Sequence, residues 1–195
     1  VLVFNGEGEV VTSYDKTHLV PFGEYLPFGD FLRRFGVTQL VEGSQGWAAG
    51  AGRRLLELPG SPAILPLICY EIVFPGSLGA SVDEAGFILV LTNDAWFDGS
   101  MGLAQHFHHA RVRAVEEGKS VVRAANSGIS AIVDPMGRID AMMAEGMVGA
   151  IKGTPAQPLS PTFFAQYRHW PLVGMLILGV LLSLPGRRRR LRRLD

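Results

Sequence analysis

Ala63-Ile64-Leu65-Pro66-Leu67-Ile68-Cys69-Tyr70-Glu71-Ile72 is the stretch whose reading decides the fold. Its first part, Ala63 to Ile68, is a continuous apolar run bounded by turn residues and reads as a strand buried on both faces. Phe87 to Leu91 is a second run of the same kind. After them the pattern changes period. Leu103 to Glu117 is helical, with Leu103, Phe107, Ala110, Ala114 and Val115 on one broad apolar face. Val121 to Ala125 and Ile129 to Val133 flank Asn126-Ser127-Gly128, and Asp134-Pro135-Met136-Gly137 is a turn. Upstream, Val1 to Phe4 and Val10 to Tyr14 flank Asn5-Gly6-Glu7-Gly8, where Asn-Gly accepts the positive φ of a type I′ hairpin turn. Strands with at least one interleaved helix give an α/β or α+β sandwich.

The lone cysteine, Cys69, falls where the first apolar run ends. A nucleophile at a strand-to-helix corner is exposed, and the backbone N–H of the next residue can face a developing oxyanion. Free cysteine is also among the most buried residue types, which makes a core position the competing reading. Tyr70 and Glu71 weigh against the core, because a buried strand is not expected to continue into a carboxylate.

The chain has 195 residues, 48% of them hydrophobic and 18% charged, which excludes intrinsic disorder. One cysteine excludes a disulfide scaffold. Eighteen basic residues balance eighteen acidic ones, yet residues 187–195 alone hold six Arg and one Asp. The other 186 residues carry twelve bases and seventeen acids, so neutrality is a cancellation. The basic tail follows an uncharged run from Trp170 to Leu184 that, with Pro185 and Gly186, makes 17 residues. That is the lower edge of a bilayer span. His169, Trp170 and Tyr167 lie where an interfacial aromatic belt would, and Arg187 begins the cluster at the other end. These features predict a transmembrane helix over 170–186 in preference to a core helix, with residues 187–195 as a cytoplasmic tail. Residues 154–169, rich in proline at their start, read as a linker.

Lys16 lies in Tyr14-Asp15-Lys16-Thr17-His18-Leu19-Val20-Pro21-Phe22-Gly23-Glu24 and, alone, reads as a surface lysine. Near a cysteine it would lower the thiol pKa and donate to an oxyanion. Gln105-His106-Phe107-His108-His109 spreads its imidazoles over different helix faces, so it reads as polar surface or as packing against a loop rather than as a metal site.

Taken together, Tyr14-x-Lys16-x-His18 to Glu24, Ile68-Cys69-Tyr70-Glu71, and Thr92-Asn93-Asp94-Ala95-Trp96-Phe97 resemble the nitrilase (carbon–nitrogen hydrolase) superfamily. Gln105-His106, Arg111-x-Arg113-Ala114-x-Glu116, Arg123-x-x-Asn126-Ser127-Gly128 and Asp134-Pro135-x-Gly137 continue the match over almost the whole chain. Cys-Tyr-Glu followed by a terminal apolar helix resembles its bacterial apolipoprotein N-acyltransferase branch.

The resemblance implies an α/β, nitrilase-like αββα sandwich, represented by its later part in residues 1–153. It implies Cys69 as nucleophile, and Lys16, with the Tyr70 N–H, as the oxyanion-stabilising lysine. Glu24, Tyr70, Glu71 and Trp96 would support the site. It implies no metal and no cofactor. A membrane phospholipid would be the acyl donor and an apolipoprotein the acceptor, with no nucleic acid partner. The catalytic domain would face the periplasm from the bacterial inner membrane. The family's general-base glutamate precedes the lysine by several dozen residues. Only fifteen residues precede Lys16, and Glu7 and Glu9 do not match that motif. The chain is therefore expected to be a fragment without its base and inactive alone. A membrane-anchored amidase that resolves the thioester with water is the alternative, and a non-catalytic anchored binding domain is a third reading.

Overall fold

A computed structural model describes residues 1–36, 47–79 and 81–183. Two strands, β1 (Leu2–Phe4) and β2 (Val10–Ser13), form the N-terminal hairpin. Its turn differs from the expected type. Gly8, at φ 85°, takes the left-handed conformation, while the Asn5 side chain accepts from the N–H groups of Glu7 and Glu9. Asn5 thus caps the loop with its amide oxygen instead of supplying the positive φ. A short helix, α1 (Gly29–Arg33), follows.

The main sheet has five strands in the order β3 (Ile64–Ile68), β4 (Phe87–Asn93), β5 (Ser120–Asn126), β6 (Ser130–Val133) and β7 (Ile139–Met143). β3, β4 and β5 are parallel, and β6 and β7 continue antiparallel. The parallel strands need crossovers, which a short helix, α2 (Ser81–Glu84), and a long one, α3 (Gly102–Glu117), provide.

α3 lies over one sheet face, where Phe107, Ala110 and Ala114 meet Leu65, Leu67, Ile88, Val90, Val121, Ala131 and Val133 in a single buried cluster. Each large aliphatic side chain buried there contributes roughly 1.5–3 kcal/mol. Val115, expected on that face, is instead exposed. It follows Ala114 by 100° of helix rotation, beyond the reach of the sheet. The expectation of strands buried on both faces holds for β3, but β4 alternates. Ile88 and Val90 are buried, while Phe87, Leu89 and Leu91 on the other face are half-buried.

The residues read as a linker lie along the domain. Ala156 accepts from Ser120 Oγ, Leu159 N donates to Gly118 O, and Arg168 Nη1 reaches both Glu117 oxygens at 2.7 Å. Within that stretch Thr162 caps a five-residue helix, α4 (Phe163–Tyr167). The last described element, α5 (Trp170–Ser183), has 14 residues, and its Leu, Ile, Val and Met side chains are exposed. At 1.5 Å per residue it is about 21 Å long, against roughly 30 Å of bilayer hydrocarbon. Among the described residues no helix is long and apolar enough to cross a membrane, so the span expected over 170–186 is not met by them. Residues 184–186 of that span, and the Arg tail at 187–195, lie outside the described residues.

Candidate active site

The parallel strands β3, β4 and β5 all end at one edge, where the chain turns away from the sheet. At the end of β3 the backbone enters a 3-10 turn over Cys69–Val73. Cys69 takes φ 51°, a left-handed conformation that is uncommon for a residue bearing a Cβ. Such strain costs on the order of 1–3 kcal/mol and persists only where surrounding contacts over-determine it. The side chain is half-buried and faces two cavities, one of about 500 Å³ and one of about 820 Å³.

Glu71 supplies much of the restraint. It is fully buried, two residues past the cysteine, and lines neither cavity. Its Oε2 accepts from Ile68 N–H at 2.8 Å, on the near side of the turn. Its Oε1 accepts from Thr17 N–H at 2.9 Å, Thr17 Oγ1 at 2.7 Å and His18 N–H at 3.1 Å. Tyr14 Oη donates to the same carboxylate. One side chain therefore clasps the Cys69 turn to the segment that carries Lys16. Burial alone would raise the Glu71 pKa, but the N–H of Ile68, the donors of Thr17 and the charge of Arg53 outweigh it and hold the carboxyl below its ordinary range. The Tyr14 hydroxyl is pushed up to about 12, chiefly by burial, and stays a donor.

Lys16 is buried and lines the larger cavity together with Cys69. Its Nζ donates to Glu24 Oε1 at 2.6 Å, and Glu24 Oε2 accepts from Val20 N–H at 2.8 Å. Glu24 thus holds the ammonium in place, and it lines both cavities. Trp96, largely exposed, forms a wall common to both. Tyr70 lines the smaller cavity and packs edge-on against Phe74 at 4.8 Å. That cavity is the more apolar, with Val20, Pro21, Val73 and Phe97 in its wall. Phe22, Tyr25 and Phe28 nearby in sequence are exposed, and Phe22 and Phe28 sit at positive φ. Glu7 and Glu9 are exposed in the N-terminal hairpin turn, away from both cavities.

A second polar cluster was not read from the sequence. His106, for which the sequence leaves helix surface or packing against a loop open, is buried against the Cys69 turn. Its Nδ1 lies 2.9 Å from Asp94 Oδ1 and its Nε2 lies 3.3 Å from the Cys69 carbonyl oxygen. Asp94 also accepts from Thr92 Oγ1 at 2.8 Å and from Arg123 Nη2 at 2.6 Å. Burial would raise the Asp94 pKa, but His106, Arg123 and Thr92 prevail and bring it to about 2. A Cβ on Gly128 would lie 2.3 Å from Asp94 Oδ2, so the turn after β5 must present glycine there. The signal was in the helix period: His106 follows Leu103 by three and precedes Ala110 by four, on the apolar stripe. Among the described residues no group of three or more His, Cys, Asp or Glu side chains is gathered as metal ligands would be.

The carbon-nitrogen hydrolase family model matches residues 1–150. The chain belongs to the carbon-nitrogen hydrolase family. It is 42% identical over 189 residues to the apolipoprotein N-acyltransferase of Rhodopseudomonas palustris, covering 96% of this chain and 35% of that protein. With the apolipoprotein N-acyltransferase of Rhizobium leguminosarum bv. trifolii it shares 46% over 189 residues, 95% of this chain and 35% of the relative. The chain thus spans about a third of the length of the curated relatives it matches. Among solved structures, the amidase of Nesterenkonia sp. AN1 superposes with a TM-score of 0.54 at 22% identity, over 89% of this chain and 61% of the amidase. The nitrilase-like α/β fold follows from that likeness.

Proposed function

We propose that this chain is the nucleophile-bearing part of an N-acyltransferase of lipoprotein maturation. The observation that carries the proposal is the convergence of Cys69, on its strained turn, with the Lys16–Glu24 pair around one cavity, in a chain more than 40% identical to such enzymes. The Cys69 thiolate attacks the carbonyl carbon of a phospholipid acyl ester. The C–O bond breaks, a lysophospholipid alcohol leaves with a proton, and a thioester remains on Sγ. The α-amino group of a diacylglyceryl-cysteine at an apolipoprotein N-terminus then attacks the thioester, forming an amide and returning the thiol. Splitting one acyl transfer into two suits the chemistry, because a thioester is more reactive toward an amine than the starting oxygen ester. Lys16 Nζ and the Tyr70 N–H stabilise the oxyanion of both tetrahedral states.

In this reading a glutamate upstream of Lys16 in the longer protein takes the thiol proton, and the 195-residue chain alone does not turn over. The apolar wall of the smaller cavity takes the acyl chain. α5, with the residues after it, holds the domain at a bilayer, as two lipid substrates require, and the Arg tail remains on the cytoplasmic side.

Intact-mass measurement of the complete polypeptide incubated with phospholipid tests the reading. A mass increase of one acyl group is expected, absent in Cys69→Ala and released by an apolipoprotein peptide. No Cys69-dependent increase overturns it.

A further inference from the structure

The carbonyl of Cys69 and the N–H of Tyr70 belong to one peptide plane and point in opposite directions. Whatever fixes the oxygen therefore fixes the direction of the N–H. The oxygen faces His106 Nε2 at 3.3 Å, and a carbonyl oxygen leaves that nitrogen the donor's role. The ring cannot swing away easily. Its Nδ1 sits between Asp94 Oδ1 at 2.9 Å and Arg123 Nη2 at 3.1 Å, and the ring meets Phe97 at a tilt of 53°, 5.5 Å between centroids. Behind it, Asp94 and Arg123 are both fully buried and paired, and Arg123 Nη1 is anchored on the Ile129 carbonyl. The contact therefore runs from the turn after β5, through α3, to the backbone of the nucleophile.

We infer that His106 is a positioning residue for the oxyanion donor, its Nε2 holding the Cys69 carbonyl so that the Tyr70 N–H stays aimed at the reacting carbonyl. It touches no reacting atom. The inference rests on Cys69 being the nucleophile, and it is independent of which acyl donor the protein uses.

Two amide substitutions separate the two ring nitrogens. Gln places its amide N–H near the position of Nε2, whereas Asn places it near Nδ1. His106→Gln thus retains the contact with Cys69, and His106→Asn retains only the contact with Asp94. The probe is p-nitrophenyl butyrate, with the complete polypeptide and single-turnover release of p-nitrophenol. Iodoacetamide alkylation of Cys69 is measured in parallel, since that displacement forms no oxyanion.

H106N is expected to acylate at least about tenfold more slowly, below the roughly 10²–10³ of removing an oxyanion donor outright because the N–H is misdirected rather than lost, with KM within about twofold. H106Q is expected to recover most of the rate, and alkylation is expected to change by less than about threefold in both variants, as befits an effect on the oxyanion donor alone. Three outcomes overturn the inference: equal loss in both variants, alkylation falling in step with acylation, or unchanged acylation in H106N. If the wild-type protein is not acylated at Cys69 at all, the positioning role falls with the nucleophile. Acylation by the butyrate ester but not by phospholipid counts against the phospholipid reading alone.

Discussion

Glu71 is a buried carboxylate that does its work by being surrounded. Replacing it with Gln keeps the shape but turns an amide NH2 toward N–H donors it cannot satisfy. Glu71→Gln is expected to cost at least about 2–3 kcal/mol in urea unfolding. In the acyltransferase reading it is also expected to lower Cys69 acylation, since the clasp between the Cys69 turn and the Lys16 segment loosens. The acid limb follows from the same group. Its folded pKa lies below the ordinary 4.5, so its stabilisation is fully present above that value and is lost as pH falls through the lowered one. Unfolding free energy of the wild type should therefore fall more steeply than that of E71Q as the pH drops below 4.5. Cys69 and Lys16 were legible in the sequence because their types and spacing carry the resemblance. The partners of Glu71 were not, because Thr17 and His18 lie 54 and 53 positions away and donate largely through backbone. His106 was hidden differently. An imidazole on an apolar stripe looks the same whether it packs or holds a carbonyl.

At the scale of elements, period and punctuation were legible and caps were not. The long helix α3 runs from Gly102 to Glu117, one residue from its expected start, and the parallel strands lie where the apolar runs fall. The short helices α2 and α4 gave no signal, since four or five residues complete too few turns for a stripe. α3 ends at Gly118, φ 62°, whose N–H returns to Ala114 O. A Cβ there would meet Thr162 Cγ2 at 3.0 Å, in the stretch that lies against the helix end. Gly118→Ala combines a left-handed backbone with that close approach. It should reduce stability by about 1 kcal/mol or more, read as a lower urea midpoint with unchanged slope. Gly6→Ala serves as the control, because nothing lies within 4 Å of its Cβ position and its φ is not left-handed.

Across the whole molecule, the opposite-signed charges predicted two regions in different surroundings. The described residues add a physical connection between the domain and the start of α5. Residues 154–169 are tied to the end of α3 through Glu117 and Arg168, and His169 reaches the Pro75 carbonyl just beyond the Cys69 turn. The start of α5 is thereby held in register with the site. In the membrane reading, α5 gains its stabilisation from lipid rather than from the protein core. The chain is expected to float with phospholipid vesicles, and Arg substitutions at Leu176 and Leu181 together, at roughly 2.5–3.5 kcal/mol each near a helix centre, should abolish that flotation. Flotation unaffected by both charges would place the lipid contact elsewhere. Cys69, the only cysteine of this chain, stands where the two cavities meet. Any thiol-directed fluorophore or spin label therefore attaches at a single known address. Its emission or mobility then registers the filling of either compartment, without a background of other thiols to engineer away.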